Sequence, residues 1–281
     1  MNIISGEKFQ QLCGQSISKL EHKKFEAQID SIDVDSYDFE NFNNHELVYI
    51  NISLFNINKP KLIESKIFEK LNTFKNKFDL VLHNSDDDLN EIKLNLLKKI
   101  KNLNKVYSKN CLVEDDKVVP LPIGLANSCW PWGDEKIFQE KLKTQQLNKD
   151  KLVFCNFTLS GGERDKDRTQ CFESVLENKI EVLKQKPFGD YLSDLQQYKY
   201  VVSPEGNGVD CHRTWEALYF KVIPICKRSV VTEYFSRLFP IYLVDDWSEL
   251  NLEKLKQEYS EFSWKNYNLL DFDNYIKHIG F

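Results

Sequence analysis

Runs of apolar residues alternate with segments of helical periodicity along most of the chain. In the first half, apolar runs predict strands at 47–55, 78–82, 105–108 and 118–121. The predicted helices of this half lie at 5–13, 60–75 and 89–101. The acidic, Asn-rich segment 30–44 has few periodic apolar positions and is predicted to be a loop.

The second half repeats this alternation. Its predicted strands lie at 151–157, 200–202, 222–225 and 240–244. Its predicted helices lie at 134–146, 166–178, 188–197, 210–220, 230–238 and 248–259. The last twenty residues are predicted to be helical and to pack back on the fold. Strands and helices alternating at this spacing are typical of parallel sheets covered on both faces, so the predicted fold class is α/β.

A segment rich in proline and glycine separates the two halves. It contains Pro120, Pro122, Gly124, Trp130, Pro131, Trp132 and Gly133. We therefore predict two Rossmann-like domains that face a central cleft, over 1–128 and 151–281, joined by a linker and crossover helix over 129–150. Ligands of open parallel sheets bind at the carboxyl ends of the strands, so the polar segments that follow strands are expected to face that cleft.

Composition narrows the classes of function. The formal net charge is -5, from 38 basic and 43 acidic residues, which argues against a general nucleic-acid binder and predicts no nucleic-acid partner. There is no signal-peptide pattern and no apolar run long enough to span a membrane, so a cytoplasmic protein is predicted. The seven cysteines are odd in number, scattered and without a CxxC pair, which predicts reduced thiols.

The most informative segment follows the predicted strand 200–202. There Glu205-Gly206-Asn207-Gly208 leads into a helix, and backbone N–H groups at such a turn favour an anionic ligand. The pattern is not GxGxxG, so a dinucleotide site is not expected. The alternative is an ordinary strand-to-helix turn, for which Asn-Gly is a common signal.

The helix after this turn begins with charged residues. Asp210 is a plausible N-cap, and Arg213 and Glu216 share one helix face. A guanidinium suits a diphosphate, and a carboxylate one turn further on accepts hydrogen bonds from ribose hydroxyls. The alternative is an internal Arg–Glu pair. Since Trp215 and Leu218 indicate a buried helix, the two charges need each other or a ligand.

Two further polar segments follow strands. His83-Asn84-Ser85-Asp86-Asp87-Asp88 suits a general base or a metal ligand, or it supplies an Asp87 or Asp88 N-cap for the helix at 89–101. Asn156 to Gly162 offers small polar groups to a phosphate, with Arg164 and Arg168 beyond it, or it is a plain loop. The sequence has no GxSxG, P-loop or HExxH, which weakens the hydrolase, NTPase and metalloprotease hypotheses.

With these segments the chain resembles exostosin-like glycosyltransferases over about residues 75–250. The resemblance rests on His83-Asn84-Ser85-Asp86, on 120–128 (PLPIGLANS) with Trp130, on Phe154-Cys155-Asn156-Phe157, and on Ser203 to Ile225. It implies a two-domain fold of the glycosyltransferase B (GT-B) type, a UDP-sugar donor bound by the C-terminal domain, and a glycan acceptor bound by the N-terminal domain. It also implies inversion at the anomeric carbon without a metal or other cofactor. The sequence predicts neither the membrane anchor nor the stem of larger exostosins.

The resemblance assigns roles residue by residue. Glu205 to Asn207 would lie beside the donor, Arg213 would bind the diphosphate and Glu216 the ribose. The full predicted nucleotide-sugar site is Asn156, Thr158, Arg168, Ser203, Glu205, Gly206, Asn207, Gly208, Asp210, His212, Arg213 and Glu216. The predicted catalytic residues are His83, Asp86 and Arg213, and no metal ligand is predicted. The rival hypotheses are a non-catalytic nucleotide- or sugar-binding module, a metal-dependent hydrolase using Asp86–Asp88 and His212, and a purely structural interaction protein.

Overall fold

The computed structural model of the protein describes residues 1–17, 46–51, 61–146, 148–159 and 164–281. The chain divides into two compact units. The first is Gly6–Leu121, and the second combines Met1–Ser5 with Pro122–Phe281. The division after Leu121 comes seven residues before the predicted boundary at 128, and the first five residues belong with the C-terminal half.

The first unit is built on a parallel sheet of five strands in the order β1 to β5. The strands are β1 (Gln15–Ile17), β2 (Leu47–Asn51), β3 (Phe78–His83), β4 (Leu103–Ser108) and β5 (Val118–Pro120). The described helices are α1 (Gly6–Leu12), α2 (Lys61–Asn72) and α3 (Glu91–Leu97). The strand pattern predicted β2 to β5 but not the edge strand β1. The predicted loop 30–44 and the predicted helix start at Pro60 lie outside the described residues.

The second unit is built on a parallel sheet of four strands in the order β6 to β9. These are β6 (Lys151–Phe154), β7 (Tyr198–Val202), β8 (Ile223–Lys227) and β9 (Tyr242–Val244). Its α-helices are α4 (Glu135–Lys143), α5 (Asp165–Glu177), α6 (Phe188–Leu195), α7 (His212–Tyr219), α8 (Val230–Ser236), α9 (Leu252–Glu258) and α10 (Phe272–Ile279). The α/β class and the parallel sheets are confirmed.

The strands of the second sheet are buried on both faces. One face presents Tyr200, Val202 and Ile225 to a core that includes Cys171 and Val175 of α5 and Leu255 of α9. Alternate residues point the other way, where Phe154 of β6 packs edge-on against Tyr191 of α6 at 5.7 Å. Apolar runs without alternation, such as 200–202, result from this double cover.

The chain's two ends are joined within the second unit. Asn2 N–H donates to the Asp271 carboxylate at 2.7 Å, and Phe272 N–H donates to Asn2 O at 2.7 Å. The buried hydroxyl of Tyr219 accepts from Ile4 N–H and donates to Leu270 O. The C-terminal segment therefore packs against the end of α7, as predicted, and the first five residues are anchored there too.

The structure describes the state of the cysteines and allows a search of the described residues for membrane spans and metal sites. All seven cysteines are free thiols, which agrees with the prediction of reduced cysteines. Within the described ranges, no helix is long and apolar enough to cross a bilayer. No group of three or more His, Cys, Asp or Glu side chains in those ranges is placed to hold a metal ion.

Candidate ligand site in the second unit

The loops after β6 and β7 are joined at the carboxyl edge of the second sheet by Arg168. Its Nε donates to Glu205 O at 2.9 Å, and its Nη1 donates to Thr158 O at 3.1 Å. Because parallel neighbours end at one edge, a single side chain from α5 can bridge both loops. This bridge brings together three residues of the predicted nucleotide-sugar site, namely Thr158, Arg168 and Glu205.

The buried carboxylate of Asp167 holds the loop after β7 at this edge of the sheet. Asp167 accepts from Glu205 N–H at 2.9 Å and from Trp247 Nε1 at 2.7 Å, and Lys227 Nζ lies 3.7 Å from it. The sequence reasoning missed Asp167. An acidic residue in the first turn of the predicted helix 166–178 was its only signal.

The carboxylate of Glu205 has a partner within the protein. Arg164 Nη1 donates to Glu205 Oε2 at 2.9 Å. Burial raises the pKa of Glu205 above its ordinary value, although Arg164 opposes the shift. This pair holds the loop after β7 to the start of α5.

The glycine turn is compact. Gly206 N–H donates to Gly208 O at 3.0 Å, and Asn207 at its tip is exposed. A Cβ on Gly206 would lie 3.5 Å from Arg168 Nη2, an ordinary contact distance. Packing within the protein does not require glycine there, and a close approach to a ligand stays a prediction.

The start of α7 differs from the prediction. Its N-cap is Cys211, without a side-chain capping bond, so Asp210 as N-cap is wrong. The buried Asp210 carboxylate instead accepts from Ile123 N–H at 2.7 Å and from Trp215 Nε1 at 2.8 Å. Trp215 competes for this carboxylate because a buried indole N–H needs a partner.

Three other residues of the predicted nucleotide-sugar site make hydrogen bonds within the protein. The Ser203 hydroxyl lies 2.9 Å from Thr214 Oγ1, and Asn156 Nδ2 donates to Lys184 O at 2.8 Å. His212 Nδ1 lies 2.7 Å from Gly124 O, and since a carbonyl only accepts, Nδ1 carries the proton. These bonds fix the loops around the sheet edge.

We expect Asp210→Ala to lower the free energy of unfolding by about 2–5 kcal/mol, because two buried donors lose their acceptor. Urea denaturation checks this expectation. The exposed Asp150→Ala is the matched control and should change stability by less than about 0.5 kcal/mol. An Asp210→Ala variant as stable as the control would contradict the role of Asp210 as the acceptor for two buried donors.

Arg213 occupies the first turn of α7. Its guanidinium carbon lies 5.7 Å from the centre of the Phe157 ring, in the loop after β6. Its Nε is buried and has no hydrogen-bond partner among the described residues. Burial disfavours the charge, yet Cys211, Tyr191 and Glu216 raise the pKa of Arg213 above its ordinary value. The first turn of α7 therefore carries a permanently charged guanidinium whose Nε–H makes no hydrogen bond to the described residues.

Glu216 lies one turn further along α7 and is almost fully buried, at 5% exposure. Its Oε2 accepts from Tyr191 OH at 2.8 Å. Burial raises the pKa of Glu216 to about 7, against the opposite effects of the Tyr191 bond and of Arg213. Burial, followed by the charge of Glu216, raises the pKa of Tyr191 well above its ordinary value. The sequence reasoning missed Tyr191.

The predicted catalytic residues of the first unit are in contrasting environments. His83 is 1% exposed, stacks on Phe9, and its Nδ1 accepts from Asn84 N–H at 2.8 Å. The lone pair of His83 Nδ1 is occupied by this hydrogen bond, so Nδ1 is poorly placed to act as a general base. Asp86 is exposed, with Lys109 Nζ 3.8 Å from its carboxylate.

The acidic loop does not cap the next helix. The N-cap of α3 is Asn90, whose side chain accepts from Lys93 N–H, so the Asp87 or Asp88 N-cap is wrong. Asp87 instead accepts from the Ser85 hydroxyl at 2.9 Å. Lys93 Nζ donates to Asp88 O at 2.9 Å, which ties the loop down.

Comparison with known proteins leaves the family open. No protein-family model matches the chain, and no curated protein matches it. One solved structure with some similarity is an alpha-glucosyltransferase in complex with UDP-glucose and DNA containing an abasic site. It is 11% identical, with 92% of this chain and 82% of that chain covered and a TM-score of 0.33. So low a score carries no functional argument, and membership of the exostosin-like family stays a prediction.

The chemistry of the site follows from its own residues. The edge combines a charged guanidinium with an unused donor, a helix N-terminus without a side-chain cap, and a buried carboxyl that titrates near neutral pH. The first two favour an anion, and the third favours hydroxyl donors. An anionic ligand that carries hydroxyl groups satisfies all three.

Proposed function

We propose that the protein is a glycosyltransferase that moves a sugar from a nucleotide-sugar donor, preferentially a UDP-sugar, to a hydroxyl group of a glycan. The observation that carries the proposal is the buried Nε of Arg213, which lacks a partner among the described residues at the carboxyl edge of a parallel sheet. A buried donor without an acceptor costs about 1–3 kcal/mol, and more on a charged group. A bound diphosphate supplies that acceptor.

Glu216 supports the nucleotide part of the donor. Its carboxyl lies one helical turn from Arg213 on the same helix face, so one ligand can meet both side chains. Ribose hydroxyls would donate to it, while Tyr191 holds its orientation through the 2.8 Å bond. Glu205 contributes through its backbone and through the Arg164 pair more than through a free carboxylate.

The reaction proposed is an inverting displacement. The acceptor oxygen forms a bond to the anomeric carbon as the bond from that carbon to the diphosphate oxygen breaks, and the bonding pair leaves with the diphosphate. Positive charge develops on the sugar, as in glycoside hydrolysis. Arg213 and the N–H groups at the start of α7 stabilise the leaving diphosphate. We keep the prediction that no metal is required.

A base must take the proton of the acceptor hydroxyl, and Asp86 is the better of the two predicted candidates. His83 is buried with Nδ1 already accepting, whereas the carboxylate of Asp86 is 63% exposed. An accessible carboxylate can meet an acceptor hydroxyl. That Asp86 faces the donor stays a prediction.

We expect Asp86→Asn to lower kcat by on the order of 10²-fold and to leave unchanged the Kd for the nucleotide-sugar that binds, since a general base acts on turnover. Asp87→Asn is the matched control, because Asp87 bonds Ser85 within the same loop. Steady-state transfer assays with calorimetry of the donor measure both quantities. Equal kcat values for Asp86→Asn and wild type would remove Asp86 from the mechanism.

The deciding experiment is a screen of UDP- and GDP-sugars for thermal stabilisation, followed by a transfer assay with the donor that binds. A donor at 100 times its Kd should add about 2.7 kcal/mol of stability. Binding with release of UDP and a glycosylated product supports the proposal. Binding without turnover would favour the rival, a non-catalytic nucleotide-sugar module. Transfer abolished by a chelator would contradict the prediction that no metal is required, and hydrolysis abolished by a chelator would favour the metal-dependent hydrolase.

A further inference from the structure

Two tryptophans stack on each other at the surface of the second unit. Trp130 and Trp132 stack with ring centroids 5.2 Å apart and an interplanar angle of 11°. They are 39% and 47% exposed, and no other Phe, Tyr or Trp side chain whose burial is described falls in the exposed class. We call this pair the tryptophan platform. It plays no part in the proposed donor site.

The platform is held on a tight turn. Trp132 lies in the 3₁₀ turn Pro131–Gly133, where Gly133 N–H donates to Trp130 O at 2.9 Å. Trp130 N–H donates to Asn127 O at 3.0 Å, and a Cβ on Gly133 would lie only 2.0 Å from that same oxygen. The turn therefore packs directly on the buried backbone beneath it. These contacts hold the backbone that carries both indoles, which lowers the entropic cost of binding.

The size of the platform selects a small partner. A tryptophan offers about 150–250 Å² for burial, so two half-exposed indoles present about 200 Å². A stable protein interface needs about 800 Å² on each side. The exposed Pro131 between the two indoles adds one small apolar ring, whereas the neighbouring exposed side chains Ser128 and Asp134 are polar and end the apolar surface. The platform fits one or two rings, not a protein face.

The charge around the platform selects the kind of ring. Asp134 and Glu135 adjoin it and outnumber the one nearby cation, Lys136, and the chain carries a net charge of -5, so the local and the overall balance both disfavour the phosphates of a nucleic acid. A neutral pyranose has one face of C–H groups and a rim of hydroxyls. The C–H face packs on the electron-rich face of an indole, and the rim meets water and polar neighbours.

We infer that the tryptophan platform is a carbohydrate-binding site that stacks a neutral sugar ring of an oligosaccharide on Trp132. The inference goes beyond the donor site at Arg213 and does not depend on it. Failure of nucleotide-sugar binding would leave it standing, and so the two proposals are tested separately.

The test follows the indole N–H resonances of the full-length protein with ¹⁵N-labelled tryptophan, assigned with Trp130→Phe and Trp132→Phe. The probes are cellohexaose, maltohexaose and chitohexaose, with hexathymidylate as the nucleic-acid comparison. We expect at least one oligosaccharide to shift the Trp130 and Trp132 resonances saturably. The buried Trp215 and Trp247 serve as internal controls and should not shift.

Variants separate stacking from a general surface effect. Trp132→Ala should weaken oligosaccharide binding at least tenfold, and Trp132→Phe should keep part of it because a ring remains. Leu176→Ala removes an apolar side chain that is 54% exposed elsewhere and should change nothing. Since Trp132 is on the surface, the variant's melting temperature should stay near that of wild type, which rules out unfolding as the cause.

Three results would overturn the inference. One is the absence of a platform shift with every oligosaccharide. Another is a stronger response to hexathymidylate than to any sugar. The last is a concentration-dependent dimer in sedimentation that Trp132→Ala abolishes, which would assign the platform to contact between copies of the chain.

Discussion

Arg213→Met is expected to lower kcat/KM for transfer from the UDP-sugar by on the order of 10²- to 10³-fold, as loss of one preorganised charge-stabilising donor does. The same variant should melt at the wild-type temperature or above it. The reason is the buried Nε of Arg213, which has no partner among the described residues. Methionine removes that desolvated donor and keeps contact with Phe157. Transfer assays and thermal melts measure the two effects.

Loss of activity without loss of stability distinguishes a ligand site from an internal ion pair. Arg237→Met is the matched control, since that guanidinium is 64% exposed beside Glu233 on α8 and should leave kcat/KM unchanged. Arg213→Lys should recover only part of the activity because an ammonium lacks the planar fork. A destabilised Arg213→Met variant with full activity would show that the arginine is purely structural.

The sequence predicted the secondary structure best in buried segments, where apolar residues follow a regular pattern. Apolar runs such as 200–202 predicted the parallel strands because a sheet covered on both faces needs them. The edge strand β1 was missed, since Gln15–Ile17 is three residues long and carries little pattern. Helix starts were predicted least well. Asp210 looked like an N-cap, but the indole of Trp215 binds its carboxylate, a contact that depends on tertiary packing.

The candidate site shows the same division. Arg213 and Glu216 were predicted because charges on an apolar helix must be explained. Asp167 and Tyr191 were not, because each reaches its partner from an element that is distant in sequence. Tyr191 comes from α6 to a glutamate on α7, and its spacing in the chain gives no hint of the bond. The charged residues of α7 could therefore be predicted from the sequence, whereas their partners became apparent only in the fold.

Glu216 should make binding of the donor depend on pH. Burial raises its pKa to about 7 in the free protein. Ribose hydroxyls that donate to the carboxylate stabilise its charged form and lower that pKa, so binding should release a proton. The release should be partial near pH 7, where the carboxyl group of the free protein is partly protonated. Below pH 7 the Kd for UDP-glucose should weaken by up to about tenfold per pH unit, and above about pH 8 it should be constant.

Stability should respond to pH in the opposite sense. The folded pKa of about 7 lies above the ordinary value of 4.5, so the folded state binds more protons between these values. The contribution is complete below about pH 4.5 and is lost as pH rises through 7, by at most about 3 kcal/mol. Urea denaturation of wild type and Glu216→Gln across this range measures it, because the amide does not titrate.

The decisive measurement is calorimetry of UDP-glucose binding in PIPES and in Tris, whose ionisation enthalpies differ, because a phosphate buffer would compete for the proposed diphosphate site. UDP-glucose is used because its diphosphate diester has no group that titrates near neutral pH. Glu216→Gln should abolish the proton release, and Tyr191→Phe should move it to higher pH, since loss of the 2.8 Å bond removes a stabiliser of the charged form. Proton release that persists in Glu216→Gln would assign it to another group. Binding without any release in wild type would mean that Glu216 does not meet the donor, whatever the result for Arg213.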